Sequence, residues 1–121
     1  MGTLVIVDDA PFMRGALRHI VERAGHEVIG EADGGEQAIA LCRELRPDVV
    51  TLDILMPGLD GIDTLEALKA EWPEARVVIV SALDQEARRR DAMRLGAAGF
   101  IRKPFRQDDV AGVLERVLAG P

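Results

Sequence analysis

Short apolar runs, separated by longer amphipathic segments, extend along the whole chain. The runs at 4–7, 49–52 and 77–80 consist of aliphatic and β-branched residues without strict alternation. Such continuous runs are typical of strands buried on both faces, which belong to parallel sheets. The run at 27–32 is more polar, as expected at a sheet edge, and the pair at 100–101 predicts a brief fifth strand.

The segments between the runs carry apolar residues at helical spacing. Pro11 suits the first turn of helix one, which we expect to end at Gly25, and Pro47 stops helix two. Helix four is predicted from about Gln85 to Leu95, and helices three and five carry comparable apolar stripes. Five strands that alternate with five helices predict an α/β domain, with a doubly wound parallel sheet covered by helices on both faces.

Composition narrows the class of protein. The 121 residues suffice for one domain, expected to span 1–121, and no apolar stretch approaches the roughly 20 residues that a membrane helix needs. Fifteen basic against 21 acidic residues give a formal net charge of -6, which argues against direct nucleic-acid binding. The single Cys42 is expected in the core. These features predict a soluble protein of the cytoplasm with no membrane partner.

Polar residues follow four of the five predicted strands. Asp8 and Asp9 come after the first strand, Asp53 ends the third, Ser81 follows the fourth and Lys103 follows the fifth. Ligand sites of such sheets lie beyond the carboxyl ends of the strands, so these side chains are expected at one edge. Taken singly, Asp53 could start a turn, Asp8 and Asp9 could cap a helix, and the others could be structural or solvated. Their joint placement favours a functional site.

The gathered residues have a chemistry in common. Three crowded carboxylates repel one another unless a cation shares the site, and Mg2+ prefers such oxygen ligands. Lys103 adds a compact positive charge and Ser81 a hydroxyl donor. A carboxylate nucleophile, a metal ion and two donors suit phosphoryl transfer.

An ordered set of motifs carries a family resemblance. The motifs are Val7-Asp8-Asp9, Asp53 followed by Met56-Pro57-Gly58, Ser81-Ala82 and Lys103-Pro104-Phe105. With them the whole chain resembles the receiver domain of two-component response regulators, and the segment 10–14 makes it similar to stand-alone chemotaxis members of that family. The resemblance implies a single flavodoxin-like (βα)5 domain with strand order 2-1-3-4-5.

The resemblance also implies roles for the gathered residues. Asp53 would accept a phosphoryl group from a phosphohistidine on a sensor histidine kinase (CheA-like), which makes the chain a phosphoacceptor signalling protein rather than an enzyme. Asp9, Asp53 and the backbone carbonyl of Leu55 would bind Mg2+, for which Mn2+ could substitute, and Asp8 would act largely through water. Lys103 would pair with the phosphoryl group.

The same resemblance implies a conformational response. Ser81 would move inward to a phosphoryl oxygen, Phe100 would swing into the vacated space, and the bond between Lys103 and Pro104 would be cis. Many relatives carry Tyr at the position of Phe100, and the alternative interpretation is that Phe100 is only a core residue. Small Ala82 would leave the approach to Asp53 open.

Two leucines depart from the family pattern. Relatives often carry polar side chains that orient the hydrolytic water two residues beyond the acceptor and two beyond Ser81, where this chain has Leu55 and Leu83. We therefore expect slow spontaneous loss of phosphate. Leu55 also argues against a haloacid-dehalogenase-type phosphatase, which places a second catalytic Asp there.

The expected output surface is basic. Helix four carries four arginines, and in receivers this helix, strand five and helix five form the partner surface together with Phe100. The arginines are Arg88, Arg89, Arg90 and Arg94. A solvated helix face is the simpler interpretation; the functional hypothesis is an acidic partner such as a flagellar switch segment. A phosphatase is a further candidate partner, and a monomer is expected. The alternatives are a relay to a histidine phosphotransferase and a receiver excised from a larger regulator.

Overall fold

Strands and helices alternate along the chain, in agreement with the predicted α/β class. The computed structural model describes residues 2–56, 60–82 and 85–120. The strands are β1 (Thr3–Val7), β2 (Glu27–Ala32), β3 (Val49–Asp53), β4 (Val77–Ser81) and β5 (Gly99–Arg102). The helices are α1 (Pro11–Arg23), α2 (Gly35–Leu45), α3 (Gly61–Glu71), α4 (Glu86–Arg94) and α5 (Gln107–Ala119).

The five strands form one parallel sheet in the order β2-β1-β3-β4-β5. This order confirms the topology that the family resemblance implied, and β2 lies at an edge, as its polar composition predicted. The order reverses between β1 and β3, where the chain leaves one half of the sheet for the other. Their carboxyl ends are therefore the expected location of a ligand site.

The sheet separates two apolar cores. Alternate residues of one strand enter different cores, so that Val5 packs on one face and Ile6 on the other. Helices α1 and α5 contribute Leu17 and Leu114 to one core, whereas α2, α3 and α4 cover the opposite face. Every residue of β3 and β4 is buried, which explains why their sequences show no polar alternation.

Several expected helix ends differ from the structure by one or two residues. Helix α1 ends at Arg23 with its cap at Ala24, so Gly25, where we expected the end, follows the cap with a positive φ of 93°. Gln85 and Leu95 are the caps of α4 and not its first and last helical residues.

The helix α2 begins at Gly35, because Gly34 still has the extended backbone of an N-cap. Cap geometry decides such boundaries, and a glycine pair gives no side-chain signal for it.

Two further expectations concern burial. Cys42 is buried in the core beneath α2, as predicted, and burial raises the pKa of its thiol to about 11. In the described parts of the chain, every helix is too short or too polar to cross a bilayer.

Gly61 allows α3 to begin directly against the end of β3. Its backbone N–H donates to the carbonyl oxygen of Ile54 at 2.9 Å. A Cβ at this position would lie 2.3 Å from the backbone oxygen of Asp53 and 2.5 Å from the Cα of Ile54. Only glycine fits here without displacing backbone atoms, so the start of α3 supports the segment that carries Asp53.

We predict that Gly61→Ala lowers the free energy of unfolding by about 3 kcal/mol, because rigid backbone atoms cannot move away from the added methyl group. Chemical denaturation followed by circular dichroism measures the change. Gly15→Ala is the matched control, since a Cβ there meets nothing within 4 Å. As a helix-interior glycine, Gly15 should gain stability on this change. Equal stability of Gly61→Ala and wild type would contradict the close approach.

Candidate functional site

Three carboxylates converge where β1 and β3 end. The register of the two strands pairs Val7 with Leu52, which sets the following residues, Asp8 and Asp53, side by side. Each of Asp8, Asp9 and Asp53 offers a carboxylate oxygen, and these oxygens all lie within 4.8 Å of one another. Asp8 and Asp53 are buried, whereas Asp9 is exposed. The structure thus brings together the acidic residues that the strand pattern singled out.

Lys103 reaches this cluster from the end of β5. Its Nζ lies 3.3 Å from Oδ2 of Asp53 and 3.5 Å from Oδ2 of Asp8, so one cation is shared by two carboxylates. The backbone N–H of Lys103 donates to the carbonyl oxygen of Ser81 at 2.7 Å, which continues the β4–β5 ladder. The peptide bond between Lys103 and Pro104 is cis, in agreement with the expectation.

The charge at Asp53 is only partly compensated. Burial is the main cause that raises the pKa of Asp53 to about 6; the charge of Asp8 adds to the increase, and Lys103 and the backbone N–H of Leu55 oppose it. The ammonium group of Lys103 therefore reduces the increase in this pKa without abolishing it. A hard divalent cation fits this donor set, because it prefers oxygen ligands and would relieve the repulsion.

Ser81 and Phe100 lie on the same face of the sheet. Phe100 is opposite Ile79 in the register of β4 and β5, and Ser81 is two residues further along β4. Ser81 is buried, and Phe100 is half-buried against the core that α2, α3 and α4 cover. The guanidinium of Arg89 lies over the Phe100 ring, 4.2 Å from its centroid. Phe100 therefore contacts α4 from the end of the sheet that carries the site.

The basic face of α4 is largely neutralised within the protein. Three of its four arginines form ion pairs, namely Arg88 with Asp60, Arg89 with Glu86 and Arg94 with Asp91. Arg90 is exposed and has no ion pair within the described part of the chain. The positive charge that the sequence suggested is therefore smaller at the surface than the arginine count implies.

Two apolar residues were predicted to govern phosphate lifetime. Leu55 is 54% exposed, and its backbone N–H donates to Oδ1 of Asp53 at 3.3 Å. Leu55 thus lies next to the carboxylate but offers it no side-chain hydrogen bond. Leu83, and the Pro57-Gly58 turn of the family motif, lie outside the described residues.

Sequence reasoning missed three residues near the site. Arg14 donates to the backbone carbonyl of Asp8 at 2.6 Å and forms an ion pair with Glu31 of β2. Asp60 caps α3 by accepting the N–H of Asp63, and it also pairs with Arg88. These contacts join separate elements of the fold, so they cannot be predicted from the spacing of residues along the sequence. The polar character of the β2 edge strand was the available signal for Glu31.

Comparison with known proteins agrees with this arrangement. The Response regulator receiver domain family matches residues 4–115. The chain therefore belongs to the receiver domains of two-component response regulators, which are signalling domains.

Individual relatives show which members of the family this chain resembles. Chemotaxis protein CheY of Thermotoga maritima is 43% identical over 114 residues, which are 94% of this chain and 95% of that protein. Chemotaxis protein CheY of Bacillus subtilis is 42% identical over 115 residues, with 95% and 96% covered. The crystal structure of the NtrX receiver domain from Brucella abortus superposes with a TM-score of 0.92 at 34% identity, covering 98% of this chain and 99% of that one.

We predict that Asp53→Asn stabilises the metal-free protein at pH 7 by about 2 kcal/mol. The pKa of Asp53 is raised in the folded protein from 3.8 to about 6. Between these two pKa values the folded state binds more protons than the unfolded state. The free energy of unfolding of the wild type therefore falls as the pH rises from about 4 to about 6. The amide variant lacks this loss.

Urea unfolding in EDTA between pH 4 and pH 7.5 measures the difference. Glu66→Gln, a change at an exposed carboxylate of α3, is the control for the loss of one negative charge. Parallel stability profiles for wild type and Asp53→Asn would contradict the prediction.

Proposed function

We propose that this chain is a phosphorylation-controlled signalling protein that accepts a phosphoryl group on Asp53 and then binds an output partner. The convergence of three carboxylates with Lys103 supports this most directly, because it combines a nucleophile, a cation site and a positive charge. The proposed donor is a phosphohistidine on a sensor histidine kinase, CheA-like in the chemotaxis case. The proposed location is the cytoplasm, where such kinases expose their phosphohistidine.

The proposed transfer joins a carboxylate oxygen of Asp53 to phosphorus and breaks the bond between phosphorus and the histidine nitrogen. The released imidazole takes up a proton from solvent. Lys103 is already within hydrogen-bond distance of Asp53, so it can neutralise charge on the incoming phosphoryl oxygens. The hydroxyl of Ser81 is the second proposed donor to these oxygens. This arrangement stabilises the transferred group by positioning and charge.

Mg2+ is the proposed cofactor, with Mn2+ as a substitute. Asp9, Asp53 and the backbone carbonyl of Leu55 are its proposed ligands, with Asp8 acting largely through water. The bound ion supplies positive charge beside the phosphoryl oxygens. The crowding of carboxylates and the raised pKa of Asp53 support the proposal, since both are relieved by a divalent cation.

The proposed output is a change of the surface formed by α4, β5 and α5. Phe100 is its proposed conformational element, driven by Ser81 on the same face of the sheet. Because three arginines of α4 already have carboxylate partners, an acidic segment would have to exchange those pairs or contact Arg90. A flagellar motor switch is the preferred partner, since CheY relatives match over nearly their whole length.

A second candidate is a relay or the receiver of a larger regulator. The similarity to NtrX of Brucella abortus supports the second of these, because this chain matches the NtrX receiver domain and covers only 27% of the longer NtrX chain. Transfer of phosphate from this chain to a histidine phosphotransferase distinguishes a relay from a binding switch. A phosphatase remains a further proposed partner.

The central test is phosphorylation by acetyl phosphate, or binding of beryllofluoride, in the presence of Mg2+. We expect wild type to be modified once and Asp53→Asn not at all, because the amide lacks the nucleophilic oxygen. Intact-protein mass spectrometry under mild conditions measures the added mass, and omission of Mg2+ with EDTA is the metal control. Equal modification of Asp53→Asn would overturn the proposal.

The second test concerns lifetime. The double variant Leu55→Asn with Leu83→Glu should lose phosphate roughly tenfold faster than wild type, because its polar side chains can orient the attacking water. Loss of radiolabelled phosphate from the purified protein measures the rate. Met93→Asn changes an exposed apolar residue of α4 and serves as control. An unchanged rate in the double variant would refute the role assigned to the two leucines.

A further inference from the structure

We infer that Arg14 and Glu31 form a positioning pair that holds the β1–α1 loop in the geometry that the cation site requires. This inference rests on the proposed function, because it concerns the affinity of the same site for a divalent cation. It adds two residues outside the carboxylate cluster to the set that determines metal binding. Neither Arg14 nor Glu31 would touch the metal ion.

The loop between β1 and α1 carries two of the three carboxylates. Within it, Oδ1 of Asp8 accepts the backbone N–H of Ala10 at 2.9 Å, and the backbone N–H of Asp8 donates to the carbonyl of Ala32 at 3.0 Å. The other backbone polar group of Asp8 is its carbonyl oxygen. Arg14 donates to it from one guanidinium nitrogen at 2.6 Å. This contact comes from the first turns of α1 and spans the loop.

Glu31 fixes the guanidinium of Arg14. Its Oε1 accepts from Nε of Arg14 at 3.0 Å, and Arg18 of the same helix pairs with its other oxygen. The hydrogen bond from Arg18 is the largest cause of the lowered pKa of Glu31, so this carboxylate is ionised at neutral pH. Charge-assisted hydrogen bonds of this kind are stronger than neutral ones. A chain of hydrogen bonds therefore connects Glu31 of β2, through Arg14, to the backbone of Asp8.

Burial supports a positioning role over a solvated ion pair. The side chain of Arg14 is 19% exposed and that of Glu31 30% exposed, whereas the pair Arg43 and Glu71 between α2 and α3 is 61% and 42% exposed. Holding like charges together is unfavourable, so the loop needs a restraint that keeps Asp8 and Asp9 close to Asp53. Residues that hydrogen-bond to the ligands of a metal ion, without contacting the ion, commonly hold those ligands in position.

The sign of one substitution separates positioning from simple electrostatics. Arg14→Met removes a positive charge close to the carboxylates, which by Coulomb attraction alone would tighten cation binding. Loss of the contact with the Asp8 carbonyl would instead weaken binding. Because Glu31 already neutralises Arg14, we expect the positional effect to dominate, with about tenfold weaker binding.

The experiment measures Mn2+ affinity of the full chain by the electron paramagnetic resonance signal of free Mn2+, without a phosphodonor. We expect Arg14→Met to bind about tenfold more weakly than wild type, and Glu31→Gln to fall between the two. Glu71→Gln removes the same charge from the remote ion pair and should bind like wild type. Thermal unfolding without metal checks that each variant is folded.

The outcomes separate two failures. If Arg14→Met binds Mn2+ as tightly as wild type or more tightly, the positioning role is refuted while the proposed function stands, whatever the affinity of Glu31→Gln. If the pair only stabilises the fold, Glu31→Gln will melt at a lower temperature than wild type but bind Mn2+ as tightly as Glu71→Gln. That result also refutes the positioning role. If wild type itself does not bind Mn2+, the metal site fails and both proposals are overturned.

Discussion

Repulsion among Asp8, Asp9 and Asp53 is the constraint on which the rest of the structure depends. Their oxygens lie within 4.8 Å of one another, and Lys103 is the neighbouring cation in the described parts of the chain that hydrogen-bonds to two of them. Burial makes the charged form of Asp53 unfavourable and is the main cause of its raised pKa, to which the charge of Asp8 adds. The fold must therefore supply the stability that keeps these groups together.

Two features of the fold supply the stability that keeps the three carboxylates together. The two apolar cores bury both faces of β3 and β4, so the strand that ends in Asp53 cannot shift without exposing apolar surface. Gly61 then lets the start of α3 rest on the backbone of that strand end. The position of the carboxylate cluster is thus maintained by the packing of β3 between the two cores and by the backbone contact between the start of α3 and the end of β3.

Much of this could be predicted from the sequence, for a physical reason. Uninterrupted apolar runs such as 77–80 have few alternatives to a doubly buried strand, and parallel strands bring their carboxyl ends to one edge whatever the loops do. Asp53 and Lys103 were placed by that rule although 50 residues separate them. Ser81 was placed by the same rule as a hydroxyl donor, whereas the inward movement of Ser81 and the swing of Phe100 came only from family resemblance; these roles remain predictions.

Contacts between elements could not be predicted in the same way. Arg14 and Glu31 are 17 residues apart, and Asp60 and Arg88 are 28 apart. Whether such side chains meet depends on helix rotation and rotamers that no local pattern fixes. The arginines of α4 illustrate this, since the sequence suggested a basic surface and the structure pairs three of them with carboxylates.

One of those pairs ties two regions of the molecule together. Asp60 accepts the N–H of Asp63 with one oxygen and holds Arg88 with the other, so a single carboxylate both caps α3 and anchors α4. Any displacement of α4 must either break this pair or pull on the start of α3, beside the segment that carries Asp53. Coupling between two binding events is reciprocal in free energy. Under the proposed function, a partner that binds α4 and a ligand that binds at Asp53 would therefore change each other's affinity by the same factor.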